Sequence, residues 1–455
     1  MIYSIIKKSQ LEGALRLDAE YFQPEYLDTE KKLRSTKTLK VSDISSSVVN
    51  FGAYSLCNYI EWQDEGIPYI NVGDVKDGYV EFSNIKHISS DANEILKKSK
   101  VKNGQVILTM AGSIGSVAVA HNFPVEVNSN QATAKISLKN NYSPYFLTAF
   151  FLSSHGQSQI KREIVSSVQP NIFLFQIKNF LVPDIPLWSQ AEIENTFKNY
   201  LGMIEDSKKY YQQAEDLLLE ELGLKNFKTD DRLFSVVNLS DLKSANRMDA
   251  EYYQKKYFNL LKIIHKFDIK KIYKIAEEVT NKCKIIPDRE YNYIEISDID
   301  VPNGECGYAK MIGRELPANA KFTLDGSELI VSKVRPTRGA IAIIPENYKN
   351  NFIASGAFSI LKIASPMREY LQVVLRSVIG KLQMERPTTG TSYPTITDQD
   401  IENILIPILP LKTQQKIADL VHRSHEARKK AKELLEEAKN KVENLIDSTS
   451  SPQVE

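Results

Sequence analysis

The sequence predicts an α+β protein built from two copies of one mixed α/β domain, each followed by a long helix of a coiled-coil pair. Two repeated segments and one repeated pattern predict this architecture. A Pro-x-x-Pro-Leu segment occurs at residues 183–187 and again at 407–411, 224 positions later. An Arg-x-Asp-Ala-Glu-Tyr segment occurs at 16–21 and at 247–252, and a helical pattern follows each proline segment. Self-similarity at a fixed period indicates internal duplication.

The composition places few restrictions on function. The chain has 455 residues, which is enough for two to three domains. Its 42% hydrophobic and 25% charged residues are ordinary for a soluble globular protein. The net charge of +1 neither demands nor forbids a polyanion partner, because a nucleic-acid binder needs a local basic face rather than a basic total.

The sequence carries no sign of export. No run of about 18 apolar residues occurs, and the N-terminus lacks the apolar stretch of a signal peptide. The cysteines Cys57, Cys283 and Cys306 are far apart and form no Cys-x-x-Cys pair. This spacing argues against a disulfide framework and a zinc ribbon. We therefore expect a cytoplasmic protein whose cysteines are buried apolar fillers.

The first elements of each copy are short amphipathic helices. In both copies the Arg-x-Asp-Ala-Glu-Tyr segment precedes spaced apolar residues, as at the start of a helix. Arg16 with Asp18, and Arg247 with Asp249, would mark catalytic carboxylates only if they faced a pocket. Their position beside paired aromatic residues favours a role in fastening the helix to its domain or in contacting a partner protein.

The following segment of each copy changes to short β-rich runs separated by Gly, Asn and Asp. In the first copy this pattern covers about residues 41–138. The strands that we expect are at 67–75, 104–109 and 115–120 in the first copy, and at 292–299, 326–332 and 339–344 in the second. Each copy should therefore contain a twisted sheet or partial barrel.

A helical stretch follows the strands in each copy, at about 145–164 and 369–384. Each stretch ends in a polar loop that returns to a short strand. The loops at 166–172 and 390–396 align at the offset of 224. The second begins Gly-Thr-Ser-Tyr-Pro and the first Ser-Ser-Val-Gln-Pro, so the first copy departs from the second here.

The last element of each copy is a long helix with a coiled-coil seam. In the first helix the residues that recur every seven positions are Ile204, Tyr211 and Leu218. In the second helix the expected seam residues are Leu420, Ala427 and Leu434 on one position and Ser424, Ala431, Ala438 and Leu445 on another. Heptad spacing of apolar or small side chains flanked by Lys and Glu predicts a coiled coil. An antiparallel pair that holds the two domains apart is the economical arrangement.

These elements divide the chain into five segments. The first domain, with its N-terminal helical segment, covers 1–188, and its spacer helix covers 189–228. The second domain covers 229–411, and its helix covers 412–447. Residues 448–455 have the composition of a disordered tail.

Every candidate catalytic pattern in the sequence is better explained by an ordinary structural role. The chain has no Gly-x-x-x-x-Gly-Lys-Ser/Thr phosphate loop, no His-Glu-x-x-His and no Gly-x-Ser-x-Gly turn. His422 and His425 lie three apart without a carboxylate or cysteine at a fitting spacing, so a solvated helix face is favoured over a metal site. Asp288, Glu328 and Lys333 superficially resemble a nuclease set, but their spacing is poor. We expect no covalent chemistry and no metal.

Together these features resemble the specificity subunit of type I restriction-modification enzymes. The residues that carry the resemblance are Pro183, Pro186, Leu187 and Gln190 with Pro407, Pro410, Leu411 and Gln414, then 104–115 with 326–339, and 390–394. The resemblance covers nearly the whole chain, and the architecture is more specific than any one motif. It implies two target-recognition domains, each reading one half of a split DNA site, and two spacer helices that set the gap.

The resemblance also implies partners and cofactors. Two adenine methyltransferase subunits would dock on the helices for adenine N6 methylation, and ATP-driven restriction subunits would join the larger assembly. This chain would be a non-catalytic subunit that binds double-stranded DNA and no membrane. It would hold no cofactor itself, since S-adenosylmethionine, ATP and Mg²⁺ belong to the partner subunits.

Candidate DNA-binding residues follow from the chemistry of base recognition. Arginine can fork onto guanine and an amide onto adenine from a loop that enters the major groove. The best cluster lies on one loop of the second domain and comprises Lys333, Arg335, Thr337 and Arg338. The equivalent loop of the first domain is uncharged and offers Ser113. Further candidates are the amides Asn128, Asn130, Gln131, Gln169 and Asn171, the phosphate-contacting candidate Arg386, and Thr391, Ser392 and Tyr393.

Two other functions compete with DNA reading. One is a protein-interaction scaffold, two sheet domains on a coiled coil that bind protein instead of DNA. The basic, glycine-bounded loop at 333–338 argues against it, and salt-sensitive retention of DNA would decide the matter. The other is an enzyme, such as a nuclease, whose site is assembled from residues distant in sequence. Metal-dependent cleavage by the purified chain would reveal it.

Overall fold

The computed structural model describes residues 3–14, 16–51, 58, 60–123, 125–164, 170–229, 234–302, 304–390 and 392–450. The chain divides into two units, unit 1 with residues 1–204 and 429–455, and unit 2 with residues 205–428. Within the described residues, no helix combines the length and the apolar character needed to cross a bilayer.

Unit 1 holds the elements of the first copy. In chain order they are α1 (Lys8–Ala14), α2 (Pro24–Ser35), β1 (Thr38–Lys40), α3 (Val41–Ile44), β2 (Ser45–Val49), β3 (Trp62–Gln63), β4 (Ile67–Ile70), β5 (Lys86–Ile88), α4 (Ser90–Ile95), β6 (Val106–Thr109), β7 (Val117–Val119), β8 (Asn128–Ser129), β9 (Thr133–Leu138), α5 (Pro144–Leu152), α6 (Ser154–Glu163), α7 (Leu174–Asn179), β10 (Leu181–Pro183) and the start of α8 (Leu187–Glu221). One sheet has the antiparallel order β2-β9-β6-β7, and the other has the order β3-β5-β4-β8 with only β4 and β8 parallel.

Unit 2 repeats this plan. Its elements are α9 (Leu239–Ala245), α10 (Lys255–Ile264), β11 (Ile269–Lys271), β12 (Glu277–Glu278), β13 (Glu290–Ile294), β14 (Ile299–Asp300), β15 (Glu305–Cys306), β16 (Ala309–Ile312), β17 (Ala320–Thr323), β18 (Leu329–Ser332), β19 (Ile341–Ile343), β20 (Phe352–Ser355), β21 (Phe358–Lys362), α11 (Met367–Arg376), α12 (Val378–Glu385), α13 (Asp398–Glu402), β22 (Leu405–Pro407) and the start of α14 (Leu411–Ser450). Its two larger sheets have the orders β12-β21-β18-β19 and β16-β13-β20-β17.

The repeat in the sequence is also a repeat in the structure. Thr38 pairs with Pro183 between β1 and β10, and Ile269 pairs with Pro407 between β11 and β22. Thr38 and Ile269 are 231 positions apart, and Pro183 and Pro407 are 224 positions apart. In each unit, therefore, this strand pair joins a segment repeated at the offset of 231 to a segment repeated at the offset of 224. The strand orders β2-β9-β6-β7 and β12-β21-β18-β19 also correspond. The α+β prediction with two equivalent domains is confirmed.

The central strand β6 shows why each domain holds two layers of core. All four of its residues are buried. Val106 and Leu108 face a core that includes Phe146 of α5, whereas Ile107 faces a second core with Ile70 of the other sheet. Adjacent strand residues point to opposite faces, so a run without polar interruptions is what a strand covered on both sides requires.

The predicted helical stretch is a pair of helices in each unit. Ser153 ends α5 and caps α6 by accepting a hydrogen bond from the Gly156 N–H, and Ser377 separates α11 from α12 in the same way. A β-carbon on Gly156 would lie 2.1 Å from the carbonyl oxygen of Phe150, and one on Gly380 would lie 2.2 Å from that of Leu375. Glycine is therefore required at both corners.

The coiled-coil prediction is confirmed, with one seam position corrected. Ile204, Tyr211 and Leu218 are buried on α8 as expected, and so are Ser424, Ala431 and Ala438 on α14. The second position of the α14 seam is occupied by Val421, Arg428, Leu435 and Val442. Leu420 and Leu434 are only half-buried and flank the seam. Ala427 is buried as predicted, whereas the two leucines pack at the edge of the seam, where Val421 and Leu435 are more fully buried.

Contacts within each unit show that the two long helices are antiparallel. In unit 1 the Lys441 ammonium lies 2.9 Å from the Glu192 carboxylate. In unit 2 the Ser424 hydroxyl donates to the Ser207 carbonyl at 2.8 Å. Residue numbers on one helix fall as those on the other rise, which confirms the predicted direction. Helix α14 continues to Ser450, into the segment expected to be a tail, and residues 451–455 lie outside the described part.

Candidate nucleic-acid interface

The same two loops lie side by side in each unit. In unit 2, residues 333–340 join β18 to β19 and lie against the described residues of the returning loop, 389–390 and 392–397, and we name the two the paired loops of unit 2. Val334 and Thr395 form a β-bridge between them, and the Ile396 N–H donates to the Lys333 carbonyl at 3.0 Å.

The paired loops of unit 1 are residues 110–116 and 170–173. Ala111 bridges to Asn171, and the Ile172 N–H donates to the Met110 carbonyl at 2.9 Å. These bonds are the counterparts of those in unit 2, so the returning loop lies beside the strand-joining loop in both units. Gln169, predicted as a DNA contact here, lies outside the described residues.

The strand-joining loops also share two left-handed backbone positions. In unit 1 these are Gly112, with φ of +69°, and Gly115, with φ of +88°. In unit 2 they are Arg335, with φ of +49°, and Gly339, with φ of +80°. The scaffold is therefore common to both units, and the side chains that it displays differ.

The paired loops of unit 2 display a stacked arginine and tyrosine. The Arg335 guanidinium lies 4.6 Å from the centre of the Tyr393 ring and donates to the Ser392 carbonyl at 3.3 Å. The Arg335 N–H donates to the Pro394 carbonyl at 2.7 Å. Tyr393 is 67% exposed. Besides Arg335, four of the predicted residues are exposed on these loops, namely Thr337, Arg338, Ser392 and Tyr393.

Lys333, which is predicted to contact DNA, is ion-paired inside unit 2. Its ammonium is half-buried and lies 2.8 and 2.9 Å from the two carboxylate oxygens of Asp398, at the start of α13. Glu278 lies nearby, and its pKa is raised by burial and by the negative charge of Asp398. Lys333 therefore balances a carboxylate cluster and ties the returning loop to the sheet. Thr391, also predicted, lies outside the described residues.

The paired loops of unit 1 present fewer polar side chains. Ser113 is exposed at the loop tip, and its carbonyl accepts a hydrogen bond from the Thr109 hydroxyl. Asn130 and Gln131 lie half-buried on the neighbouring β8–β9 turn, where the Asn130 side chain accepts from the Ala132 N–H at 3.2 Å. Asn171 is held in the bridge to Ala111.

Asn128 is removed from the candidate interface by its burial. Its side chain is 0% exposed, and its amide donates to Asn93 at 2.8 Å and to the Leu96 carbonyl at 3.3 Å. Its amide oxygen accepts from the Ser129 N–H at 2.8 Å. A side chain whose donors and acceptor are used inside the core cannot reach a base edge without breaking these bonds.

Arg386 is used inside unit 2. Its guanidinium donates to the Tyr252 carbonyl at 3.2 Å and lies 4.3 Å from the centre of that ring. Arg162 makes the same contacts with Tyr21 in unit 1, at 3.0 and 4.2 Å. Both arginines attach the N-terminal segment of their copy to a helix, so neither is placed as a free phosphate contact.

The repeated Arg-x-Asp pairs have the same fastening role. Arg247 forms two hydrogen bonds to the Asp249 carboxylate and donates to the Pro387 carbonyl at 2.9 Å. Arg16 and Asp18 form the equivalent pair beside an open cleft of about 600 Å³. The hydrogen bond from Arg16 lowers the pKa of Asp18, which makes the carboxylate a weak base. The structural interpretation is therefore favoured over a catalytic one.

The groups considered for chemistry are separated. His425 is half-buried, and loss of solvent around its ring lowers its pKa to about 4, whereas the His422 ring lies 3.2 Å from the Glu369 carboxylate. Asp288 pairs with Arg314, and the Glu328 carboxylate accepts from the Asp325 N–H, so neither joins Lys333. Among the described residues, no three His, Cys, Asp or Glu side chains are grouped to hold a metal ion.

Sequence reasoning missed one exposed feature of unit 1. Phe173 and Phe175 follow the returning loop, are 50% and 65% exposed, and stack with ring centres 5.9 Å apart. A Phe-x-Phe pattern next to a polar loop could have signalled this surface. Unit 2 has Thr397 and Gln399 at the corresponding positions. The two interfaces thus differ in their aromatic residues as well as in their charge.

This geometry defines a class of protein, namely a duplicated chain in which two equivalent loop scaffolds display different hydrogen-bonding and stacking side chains. A family model described as the type I restriction modification DNA specificity domain matches residues 37–220 and 242–443, one match for each copy. These matches cover most of the chain, which therefore belongs to this family. The predicted resemblance and the prediction of a non-catalytic specificity protein are confirmed by this membership.

Individual relatives are distant. The chain is 22% identical over 398 residues to the putative type I restriction enzyme MjaX specificity subunit of Methanocaldococcus jannaschii, over 84% of this chain and 86% of that protein. It is 26% identical over 151 residues to the type I restriction enzyme EcoBI specificity subunit of Escherichia coli, and the match spans only 32% of that subunit. The type I restriction-modification system S subunit from M. genitalium aligns over 92% of this chain and 96% of its own, with 13% identity and a TM-score of 0.40.

Proposed function

We propose that the chain is the DNA-reading subunit of a type I restriction-modification complex, and that each unit reads one half of a bipartite site. The observation that carries this proposal is the paired-loop scaffold, which has the same bridge and left-handed positions in both units but displays different side chains. A constant backbone with variable exposed tips is what two readers of different base sequences need.

The long helices would set the gap between the two half-sites. Helix α8 has 35 residues and helix α14 has 40. At about 1.5 Å per residue, 35 residues form a rod of about 50 Å. This length suits two modules that bind about one DNA turn, or 34 Å, apart. The buried heptad seam supports a rigid spacer, because a coiled coil resists bending more than a single helix does.

The chemistry of modification would come from partner subunits. We propose that two adenine methyltransferase subunits dock on this chain and methylate adenine N6, and that restriction subunits complete the assembly. S-adenosylmethionine would bind to the methyltransferase, and ATP and Mg²⁺ to the restriction subunit. This chain would contribute position and specificity only, and the complex would act in the cytoplasm, where its DNA substrate is.

Co-expression of the chain with an adenine methyltransferase of the same family of systems, taken from beside the chain's own gene where one is encoded there, tests this function. Single-molecule sequencing of the host DNA would locate methyladenine. We expect one two-part motif with a fixed gap, methylated on both strands only when both proteins are present. If no motif appears, a salt titration of DNA retention by the chain follows. Retention that does not depend on salt, or no retention, would favour a protein-binding scaffold.

A further inference from the structure

We propose that Arg335 reads a guanine in the half-site of unit 2, that Tyr393 is its positioning residue, and that Arg338 holds a backbone phosphate. This inference rests on the proposed function and adds a chemical assignment to it. It predicts which base pair of the site depends on which side chain.

The backbone conformation of Arg335 is the first step of the argument. Its φ of +49° and ψ of +52° lie in the left-handed region, where a β-carbon is disfavoured and glycine is not. The corresponding position in unit 1 is Gly112. The scaffold thus accepts glycine at this position, and unit 2 carries an arginine there at a conformational cost. An outlier of this kind points to a requirement for the side chain.

The second step is the fixed position of the guanidinium. The Tyr393 ring lies 4.6 Å from it on one side, and the Ser392 carbonyl accepts one of its N–H groups at 3.3 Å. Guanine is recognised by two parallel hydrogen bonds from arginine to O6 and N7, which demand a defined plane and direction. A guanidinium that is already stacked loses less conformational freedom when it binds. Arg335 is therefore suited to a base edge.

Arg338 has the opposite character. It ends the short 3₁₀ turn Pro336–Arg338 and is exposed. Among the described residues, its side chain has no hydrogen bond, ion pair or ring contact, and only its backbone N–H is used, toward the Arg335 carbonyl at 2.9 Å. A long, unrestrained cation suits a phosphate, which is bound mainly through charge and carries no sequence information. We assign neither role to Lys333, because its ammonium is ion-paired with Asp398.

The asymmetry between the units supports the assignment. Gly112 and Ser113 occupy the tip in unit 1, where no guanidinium is available. An exposed cation–π pair by itself adds little stability and would not compensate for a strained backbone position. The arginine is better explained by what it contacts outside the chain.

The test measures the methylated motif of host DNA for the chain co-expressed with its methyltransferase. We expect Arg335→Gly to keep the fold, because glycine suits the left-handed position. We also expect it to lose the preference for one G·C pair by about 10- to 100-fold. Arg335→Lys should weaken the same preference, since an ammonium lacks the planar, rigid fork of the guanidinium and cannot stack on the Tyr393 ring in the same way. Arg338→Ala should lower methylation at all sites without changing the motif.

Two substitutions of Tyr393 distinguish a positioning role for its ring from a general role in stability. Tyr393→Phe keeps the ring and should retain the wild-type preference, whereas Tyr393→Leu should relax the same base pair as Arg335→Gly. Arg314→Ala removes another exposed arginine of unit 2, outside the paired loops, and serves as the matched control with an unchanged motif. A thermal melt of each variant excludes loss of folding.

Three results would overturn the assignment. The first is an unchanged motif with Arg335→Gly. The second is relaxation at an A·T pair, or at scattered positions in both halves. The third is a wild-type motif without a G·C pair in either half. A wild-type chain that directs no two-part motif would instead overturn the proposed function, and this assignment with it.

Discussion

At the scale of single residues, burial decides which predicted contacts remain available to DNA. Asn128 and Arg386 have the chemistry for base or phosphate binding, but their polar atoms are used inside the protein. Lys333 is held by Asp398, which is 65 positions away in the sequence. Residue type is visible in a sequence, whereas the partner of a side chain depends on tertiary contacts. The residues that remain exposed are those at the tips of the loops.

Lys135 gives a prediction at this scale. It lies in β9 with 0% exposure, its ammonium donates to the Ser129 hydroxyl at 2.9 Å, and burial lowers its pKa to about 7. In the unfolded chain its pKa returns to about 10.4. Between these values the unfolded state binds more protons, so the contribution of Lys135 to stability rises as pH increases from 7 to 10. Below pH 7 the full free-energy cost of burying the protonated Lys135 side chain reduces the stability of unit 1.

Lys135→Met should therefore stabilise unit 1 at neutral pH. We expect the free energy of unfolding to rise by about 2–4 kcal/mol at pH 7, and the gain to shrink toward pH 10. Urea unfolding of the wild-type and Lys135→Met proteins at pH 7, 8.5 and 10 measures this difference in the free energy of unfolding. Ile360→Met is the control, since Ile360 pairs with Ile330 in unit 2 as Lys135 pairs with Ile107 in unit 1, and it has no charge. A gain that is equal at all three pH values would contradict the account.

At the scale of elements, periodicity predicted more than composition did. The two offsets located equivalent strands and helices because each element depends mainly on its local pattern. The predicted seam of α14 is one residue too early at Leu420 and Leu434, because leucine is common both in a seam and on the helix positions beside it. The stacking of Arg335 on Tyr393 could not be predicted, since it depends on how two loops meet across a sheet.

The corner between α5 and α6 gives a prediction for one element. Gly156→Ala should destabilise unit 1 by about 2–4 kcal/mol, because the new β-carbon meets backbone atoms of Phe150 and Phe151 at 2.1 and 2.5 Å. Gly202→Ala is the matched control within α8, where no atom lies within 4 Å of the added carbon. It should stabilise by up to about 1 kcal/mol. Denaturant titration of the purified chains compares them, and equal effects would refute the steric explanation.

At the scale of the whole molecule, the account rests on duplication. Each copy repeats the same strand order, the same helix corner and the same fastening of its N-terminal segment by an arginine over a tyrosine. The family match falls once on each copy. Under the proposed function, two readers in one chain would read one site with two halves, and the helices that carry the seam would fix the distance between them.

Lengthening both helices together tests this central claim most directly. One heptad would be inserted after Ile204 in α8 and one after Arg428 in α14, where the units divide, so that the seam keeps its register. Each insertion adds about 10.5 Å, or about three base pairs. The account predicts a methylated motif with both half-sites unchanged and a gap about three base pairs longer, and weak methylation when only one helix is lengthened. A wild-type gap, or an altered half-site, would contradict it.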